Sequence, residues 1–436
     1  MYSERPTLLK HQHIRRIFIS QILLILLFTG CSSQRKVQRF LDKQLTDAGP
    51  YSEFTGVLMV DAQKADTLFS LNSGRYFTPA STTKLFTLYA ALKALPDRIP
   101  SLKYQMRGDT VHVLGTGDPS ILHPVLNDRT AIDFLQGPEH VVLHMGTLEE
   151  PSWGPGWAWD DFDQGYQVER TSLPLYGNVV RLVRKSDGPQ VSPEIFRDSI
   201  FNIKSTYRRS PERNHFFYDA SFRDTTDIPF TINPSLTKAL WEEALGRALI
   251  HGKALPEGPW EVLPGMASDT LYREMIAVSD NFLAEQLMLM VSSTLSDSLS
   301  FNRARDYILK THLRDMPSPP RWVDGSGLSR YNLISPESLV YLLLELYREL
   351  PEERLFALMA KGGEKGTLEG WYQDPDGPYL FGKTGTLSNN HNLCGYLKTK
   401  SGKTVVFSFM NNHYLKPTSL IKSRMQRILV WVREHY

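Results

Sequence analysis

Apolar positions come in two rhythms along this chain. Gly56-Val57-Leu58-Met59-Val60-Asp61 is a β-rich run, and Thr67-Leu68-Phe69-Ser70-Leu71 follows after a polar turn. Together they predict a hairpin. Asn72 to Ala80 reads as a loop. From Ser81 to Leu95 the leucines at 85, 88, 92 and 95 recur at three- and four-residue spacing, which predicts a helix with a strongly apolar face ending before Pro96. From about residue 100 the texture changes. Val111-His112-Val113-Leu114, His140-Val141-Val142-Leu143 and Asn178–Val183 are short β-like runs separated by Gly, Pro and Asp. Helical period returns in Leu236–Ile250, Asp269–Ser293 and Ser335–Leu350. Near the C-terminus, Tyr379–Phe381, Gly395–Leu397 and Thr404–Met410 predict a β-meander, and Leu420–Val432 an amphipathic helix.

This order predicts an α+β architecture with helices on both sides of an antiparallel sheet. A catalytic domain is expected over 48–98 and 230–436, interrupted by a strand-rich inserted domain over 99–229. Trp153–Tyr176, dense in Trp, Gly, Pro and Asp, falls in the insertion. Core and turn packing is the expected role of Trp153, Trp157 and Trp159.

The first thirty residues have another character. Arg15 and Arg16 precede an apolar run from Ile17 to Phe28, which leads to Thr29, Gly30 and Cys31. A basic start, a short apolar stretch and small residues at its end describe a secretory signal over 1–30, with a membrane anchor as the alternative. Leu27-Phe28-Thr29-Gly30-Cys31 resembles a lipobox, which implies lipidation of Cys31 and attachment to a membrane, the outer membrane in preference to the inner, on the periplasmic side. Residues 31–47 then read as a polar, basic tether.

Composition is that of a globular protein, with 41% hydrophobic and 22% charged residues among 436. Net charge is +2, and the basic excess sits in the leader, where Arg5, Lys10, Arg15 and Arg16 face only Glu4. There is no electrostatic case for nucleic acid. The two cysteines, Cys31 and Cys394, form no CxxC pair and supply no disulfide framework. His140 and His144 are four apart, but they lie in a strand-like run and no Glu follows His140. No metal or cofactor is expected.

Three triplets carry candidate chemistry: Ser81-Thr82-Thr83-Lys84, Ser279-Asp280-Asn281 and Lys383-Thr384-Gly385. Each is weak alone, since S-x-x-K recurs at Ser33, Ser235 and Ser419. Context separates them. Ser81 opens an apolar helix, and Lys383-Thr384-Gly385 occurs once, on a predicted strand. Residues three apart on a helix share a face, so Lys84 sits one turn from Ser81. An alcohol is a poor nucleophile until a neighbour takes its proton. Lys84 can do so only when neutral, which requires its pKa to fall from about 10.4 to roughly 7–8. Burial and a second cation, Lys383, both push it that way. Gly385 lets a substrate backbone approach its strand, and the N–H of Thr386 can join that of Ser81 in an oxyanion hole.

The S-x-x-K, S-D-N and K-T-G set is the signature of penicillin-binding proteins and class A β-lactamases. More closely, the chain resembles the D-alanyl-D-alanine carboxypeptidase/endopeptidase family of class C low-molecular-mass penicillin-binding proteins. The resemblance extends through Gly115–Pro119, Gly154–Asp161, Ser279–Leu287, Asp324–Ser329 and Lys383–Leu387. It implies a serine β-lactamase/transpeptidase-like domain with a large insertion between the first two motifs. It implies that Ser81 attacks the carbonyl of the penultimate D-Ala, with Lys84 as general base. Ser279 would relay a proton to the leaving amine, and Asn281 would hold Lys84 and the peptide. Lys383, Thr384 and Thr386 would hold the terminal carboxylate. Peptidoglycan peptides are the implied substrates and β-lactams the covalent inhibitors. No E-x-x-L-N motif follows Ser279-Asp280-Asn281, so the deacylating glutamate of class A β-lactamases has no candidate here. The Ser388–Asn392 stretch, with His391, departs from the family pattern beside the site. A β-lactamase or esterase on the same scaffold, and a weakly catalytic wall-peptide-binding lipoprotein, are the rival readings.

Overall fold

The structure is a computed structural model describing residues 33–45, 53–186, 188–219, 221–222 and 224–436. The expected signal segment and Cys31 lie outside the described residues.

In chain order, α1 spans 33–45, β1 Phe54–Asp61, β2 Thr67–Leu71 and α2 Lys84–Ala94. There follow β3 Arg98–Arg107, β4 Thr110–Gly115, α3 Thr130–Leu135, β5 His140–His144, β6 Val179–Val183, β7 Gln190–Ser192, β8 Ile200–Asn202, β9 Phe216–Tyr218 and β10 Thr225–Pro229. Next come α4 Pro234–Leu245, β11 Ile250–His251, β12 Glu261–Ala267, α5 Ser268–Ala277, α6 Asn281–Ser293, α7 Phe301–Thr311, α8 Pro336–Glu349 and α9 Glu352–Leu358. The chain ends with β13 Ala360–Lys361, β14 Leu380–Leu387, β15 Asn390–Lys398, β16 Thr404–Asn412 and α10 Thr418–His435.

Six antiparallel strands form the main sheet in the order β13-β14-β15-β16-β1-β2. Its side chains alternate between two cores. On β16, Val405, Phe407 and Phe409 join one core while Val406 and Met410 join the other. The first core is closed by α10 through Ile421, Met425, Ile428, Leu429 and Val432. The second is closed by α2, α5, α6 and α8. Because α2 is apolar nearly all round, it is buried nearly all round, from Lys84 to Ala91.

Residues 31–47, expected to be a tether, contain α1 instead. Val37, Leu41 and Leu45 recur at four-residue spacing and are buried in the α10-side core, and Phe40 stacks on Trp431 at 3.9 Å. The basic residues that suggested a tether are the exposed face of this amphipathic helix.

The inserted unit is larger than expected. Its five-stranded sheet runs β11-β5-β4-β3-β12, so the chain leaves through β3 and returns through β12 as antiparallel neighbours. Leu240, Trp241 and Leu245 of α4 share a core with Leu102, Val113, Val141 and Val180. Residues 230–267, expected in the catalytic domain, therefore pack with the insertion. The helix expected over 236–250 is present only to Leu245, where Gly246 ends it at a left-handed φ of 66°, and Ile250 already lies in β11. Periodicity also does not say which core a helix joins.

Two further boundaries differ. Helix is predicted from Ser81, yet Ala80–Thr83 is a 3₁₀ turn and α2 starts at Lys84. The hydroxyls of Thr82 and Thr83 donate to Pro79 O and Ala80 O at 2.8 and 2.9 Å, which tightens this turn. The single helical period of 269–293 is broken between α5 and α6. There Ser279 takes a left-handed φ of 66° and Asp280 caps α6 by accepting from Leu283 N at 2.9 Å.

Candidate active site

Ser81 lies on the 3₁₀ turn, with Lys84 at the head of α2. Lys84 Nζ is 2.9 Å from Ser81 Oγ. It also donates to Asn281 Oδ1 at 2.6 Å and to Ser326 O at 2.8 Å. Asn281 is delivered by the break before α6 and donates its own Nδ2 to Tyr166 O at 2.8 Å. That break also turns Ser279 towards β14, where Lys383 Nζ donates to Ser279 Oγ and to Thr384 O, both at 2.8 Å. Ser81, Lys84, Ser279, Asn281 and Lys383, widely separated in sequence, thus meet in one place.

The electrostatics differ from expectation in one respect. Lys84 is lowered to about 8, and the cause is its complete burial; Asp280, Asp324 and Glu285 pull in the opposite direction. Lys383 was expected to be the cation that lowers Lys84. Instead burial, and then the charge of Lys84, hold Lys383 well below the usual amine range. The three carboxylates clustered around Lys84 decide which lysine keeps a proton more readily.

Gly385 determines how closely β14 approaches Ser81. A Cβ there would lie 2.4 Å from Pro79 O, 2.8 Å from Thr82 N and 3.0 Å from Ser81 N. No side chain fits. Next to it, β14 has an open edge. β13 pairs only with Phe381 and Gly382, so no strand covers that edge from Lys383 onward among the described residues. Leu380 O accepts from Gly362 N at 2.9 Å, on the β13 side. Backbone groups alternate along a strand, so those of Thr384 and Thr386 face the same open edge. A peptide laid along it adds a strand beside Ser81. Thr384 is buried and Thr386 exposed.

Several participants carried no assigned role in the sequence reading. Ser326 holds Lys84 with a backbone carbonyl, which no side-chain motif announces. Its loop is fixed by Asp324, which accepts from Gly327 N at 2.8 Å, Ser329 N at 2.6 Å and Asn332 Nδ2 at 2.7 Å. Trp157 reaches across from the insertion to donate Nε1 to Asp324 Oδ2 at 2.9 Å. Glu285 accepts from Ser326 N at 2.8 Å and faces the buried Arg170 at 3.6 Å. Burial raises the Glu285 carboxyl above the usual range, and Arg170 opposes this. Gln286 bridges to the insertion through Gly117 O and Thr171 O, both at 2.8 Å. The quoted segments Gly115–Pro119, Gly154–Asp161 and Asp324–Ser329 thus include residues where insertion and catalytic domain meet. The tryptophans were expected in core and turn packing. Trp159 is instead 76% exposed, while Trp157 serves as a hydrogen-bond donor.

A buried lysine bonded to a serine on the turn before its helix, beside an open strand edge, defines the penicillin-binding class of serine acyl-transfer enzymes. Residues 37–205 and 266–434 match the model of the D-Ala-D-Ala carboxypeptidase 3 (S13) family. The chain belongs to that family and is a serine-type hydrolase. It is 22% identical over 443 residues to the D-alanyl-D-alanine carboxypeptidase DacB of Haemophilus influenzae, covering 88% of this chain and 90% of that protein. It is 25% identical over 366 residues to a carboxypeptidase of Mycobacterium tuberculosis, covering 77% and 71%. The crystal structure of penicillin-binding protein 4 from Haemophilus influenzae superposes with a TM-score of 0.69 at 18% identity, over 91% of this chain and 99% of that one. The same protein complexed with a β-lactam superposes with a TM-score of 0.62 at 19% identity, with the same coverage.

Proposed function

We propose that this chain hydrolyses D-alanyl peptide bonds of peptidoglycan stem peptides, at the terminal D-Ala, the cross-link or both, through an acyl-enzyme on Ser81. The observation that carries this reading is the surroundings of Lys84 Nζ. A neutral lysine has two N–H bonds and one lone pair. Asn281 Oδ1 and Ser326 O can only accept, so they take the two N–H bonds. The lone pair is left for the proton of Ser81 Oγ, 2.9 Å away.

Ser81 Oγ then attacks the carbonyl carbon of the penultimate D-Ala while Lys84 takes its proton. The N–H groups of Ser81 and Thr386 stabilise the oxyanion. When the C–N bond breaks, the departing nitrogen takes the proton that Lys84 received from Ser81, relayed through the Ser279 hydroxyl, so that Lys84 is neutral again while Lys383 stays charged. Lys383, Thr384 and Thr386 hold the substrate carboxylate, with Gly385 admitting its backbone. A carboxylate arriving there favours the charged form of Lys383, and a charged Lys383 disfavours the charged form of Lys84. Substrate binding therefore helps to free the base. Water hydrolyses the ester and returns Ser81. β-Lactams acylate the same serine.

Fluorescent penicillin tests the core of this reading: the wild type should label and Ser81→Ala should not. Equal labelling of the two, or none of the wild type, would sink it. Digestion of purified sacculi, with mass spectrometry of the released peptides, separates loss of terminal D-Ala from opening of cross-links.

We further propose that the protein works on the periplasmic side, held by lipid on Cys31 at the outer membrane. The lipobox-like sequence around Cys31 supports this. Metabolic labelling with a palmitate analogue should mark the wild type and not Cys31→Ser.

A further inference from the structure

His391 stands directly across from Thr386 in the β14–β15 ladder. Its Nδ1 is 2.8 Å from Thr386 Oγ1. Thr386 is exposed at the open edge, whereas His391 is 3% exposed beneath it. Lys422, Trp371 and Thr384 share the small cavity against which His391 lies. Burial, with the charge of Lys422, pushes His391 down to about 3. At neutral pH the imidazole is thus uncharged, with one N–H to give.

This single proton creates a choice. If Nδ1 lacks it, Thr386 must donate its only hydroxyl proton to His391. The threonine oxygen then offers a carboxylate nothing but lone pairs. If Nδ1 carries it, the imidazole donates to Thr386 Oγ1 and the threonine proton is free to point into the site. Only the second arrangement allows Thr386 to bind an anion.

We propose that His391 is a positioning residue for carboxylate recognition: as the Nδ1–H tautomer it donates to Thr386 Oγ1 and directs the threonine hydroxyl proton at the substrate carboxylate. The inference rests on the functional reading above, in which Thr386 meets that carboxylate. It adds a cause for the histidine in the stretch that departs from the family pattern. His391 never touches substrate. Its effect therefore falls on substrates that carry the carboxylate and spares those that lack it.

A matched pair of N-acyl-D-alanyl thioesters provides the test, one with a thioglycolate leaving group and the other with its methyl ester. The wild type should prefer the free carboxylate. His391→Leu, which keeps bulk and removes the donor, should lower kcat/KM for the carboxylate substrate about five- to tenfold, mainly through KM, as expected when the Thr386 hydroxyl loses the neutral hydrogen bond that orients it. The methyl ester should change less than about threefold, within the range of an unaffected site. His391→Asn, which keeps an N–H donor, should recover most of the preference. Equal losses on both thioesters, or an unchanged preference in His391→Leu, overturns the proposal. Should His391→Leu fail to fold, His391→Asn and His391→Ala decide by the same ratio, with penicillin labelling reporting an intact Ser81. A wild type that labels with no penicillin and cleaves neither thioester refutes the functional reading itself. A wild type that cleaves both without preference refutes the carboxylate role of Thr386, and the role of His391 with it.

Discussion

Trp157 and Asp324 join the inserted domain to the catalytic one by a 2.9 Å hydrogen bond from indole to carboxylate. Asp324 shapes the loop whose Ser326 carbonyl holds Lys84, so a tryptophan from the insertion helps to orient the lysine proposed as general base. Trp157→Phe keeps the ring and removes the donor. It should cost about 1.5–3 kcal/mol of stability, the ordinary cost of a lost hydrogen bond to a charged group. It should also slow acylation by penicillin, measured by stopped-flow, about five- to twentyfold, since a misplaced base is costly. An unchanged acylation rate would mean that the Asp324 loop needs no support from the insertion.

The pH dependence of acylation follows from Lys84. Only its neutral form accepts the proton of Ser81, and burial lowers the group to about 8. The second-order rate of penicillin acylation should therefore rise with pH through about 8 and level off above it. Asp324 raises the proton affinity of Lys84, so Asp324→Asn should move this limb to lower pH. A shift to higher pH would contradict the assignment of Lys84 as base.

Gly385→Ala tests the approach of β14 to the nucleophile. The added methyl meets the backbone at Pro79, Ser81 and Thr82, and none of these atoms can rotate aside. The strand must retreat and carry the Thr386 N–H away from the oxyanion. Removing one such donor costs about 10²–10³-fold in turnover, and a loss of that order is expected. Circular dichroism should report a folded protein, because the retreat is confined to one edge.

The docking of α1 is equally testable. Leu41→Ala should lower stability by about 2–4 kcal/mol, as for other buried leucines, in urea or thermal melts. A flexible tether would tolerate the same change without effect. The acylation rate of the folded fraction should stay the same, since Leu41 packs on the face of the sheet away from Ser81.

The side chains that meet at the candidate site were legible because each belongs to a short motif whose neighbours fix its context. Ser81 opens an apolar helix, and Lys383 lies on a strand. The supporting groups were not legible in the same way. Ser326 acts through a carbonyl, which every residue possesses. Glu285 acts through its burial beside Arg170, and burial of a charge is invisible until partners from distant segments meet. The tether was misread because four basic residues drew attention away from Val37, Leu41 and Leu45. Helix α4 was assigned to the wrong core because its leucine spacing matches either one, and only the pairing of β12 with β3 decides.

The main sheet acts as a partition. Helices α1 and α10 lie behind it, and α2, with Ser81 just before its head, lies in front. On the proposal that lipid on Cys31 holds the protein, the mooring leads into the helix on the rear of that partition. The open edge of β14 stands beside Ser81, where a peptide can be laid without displacing α1 from its core.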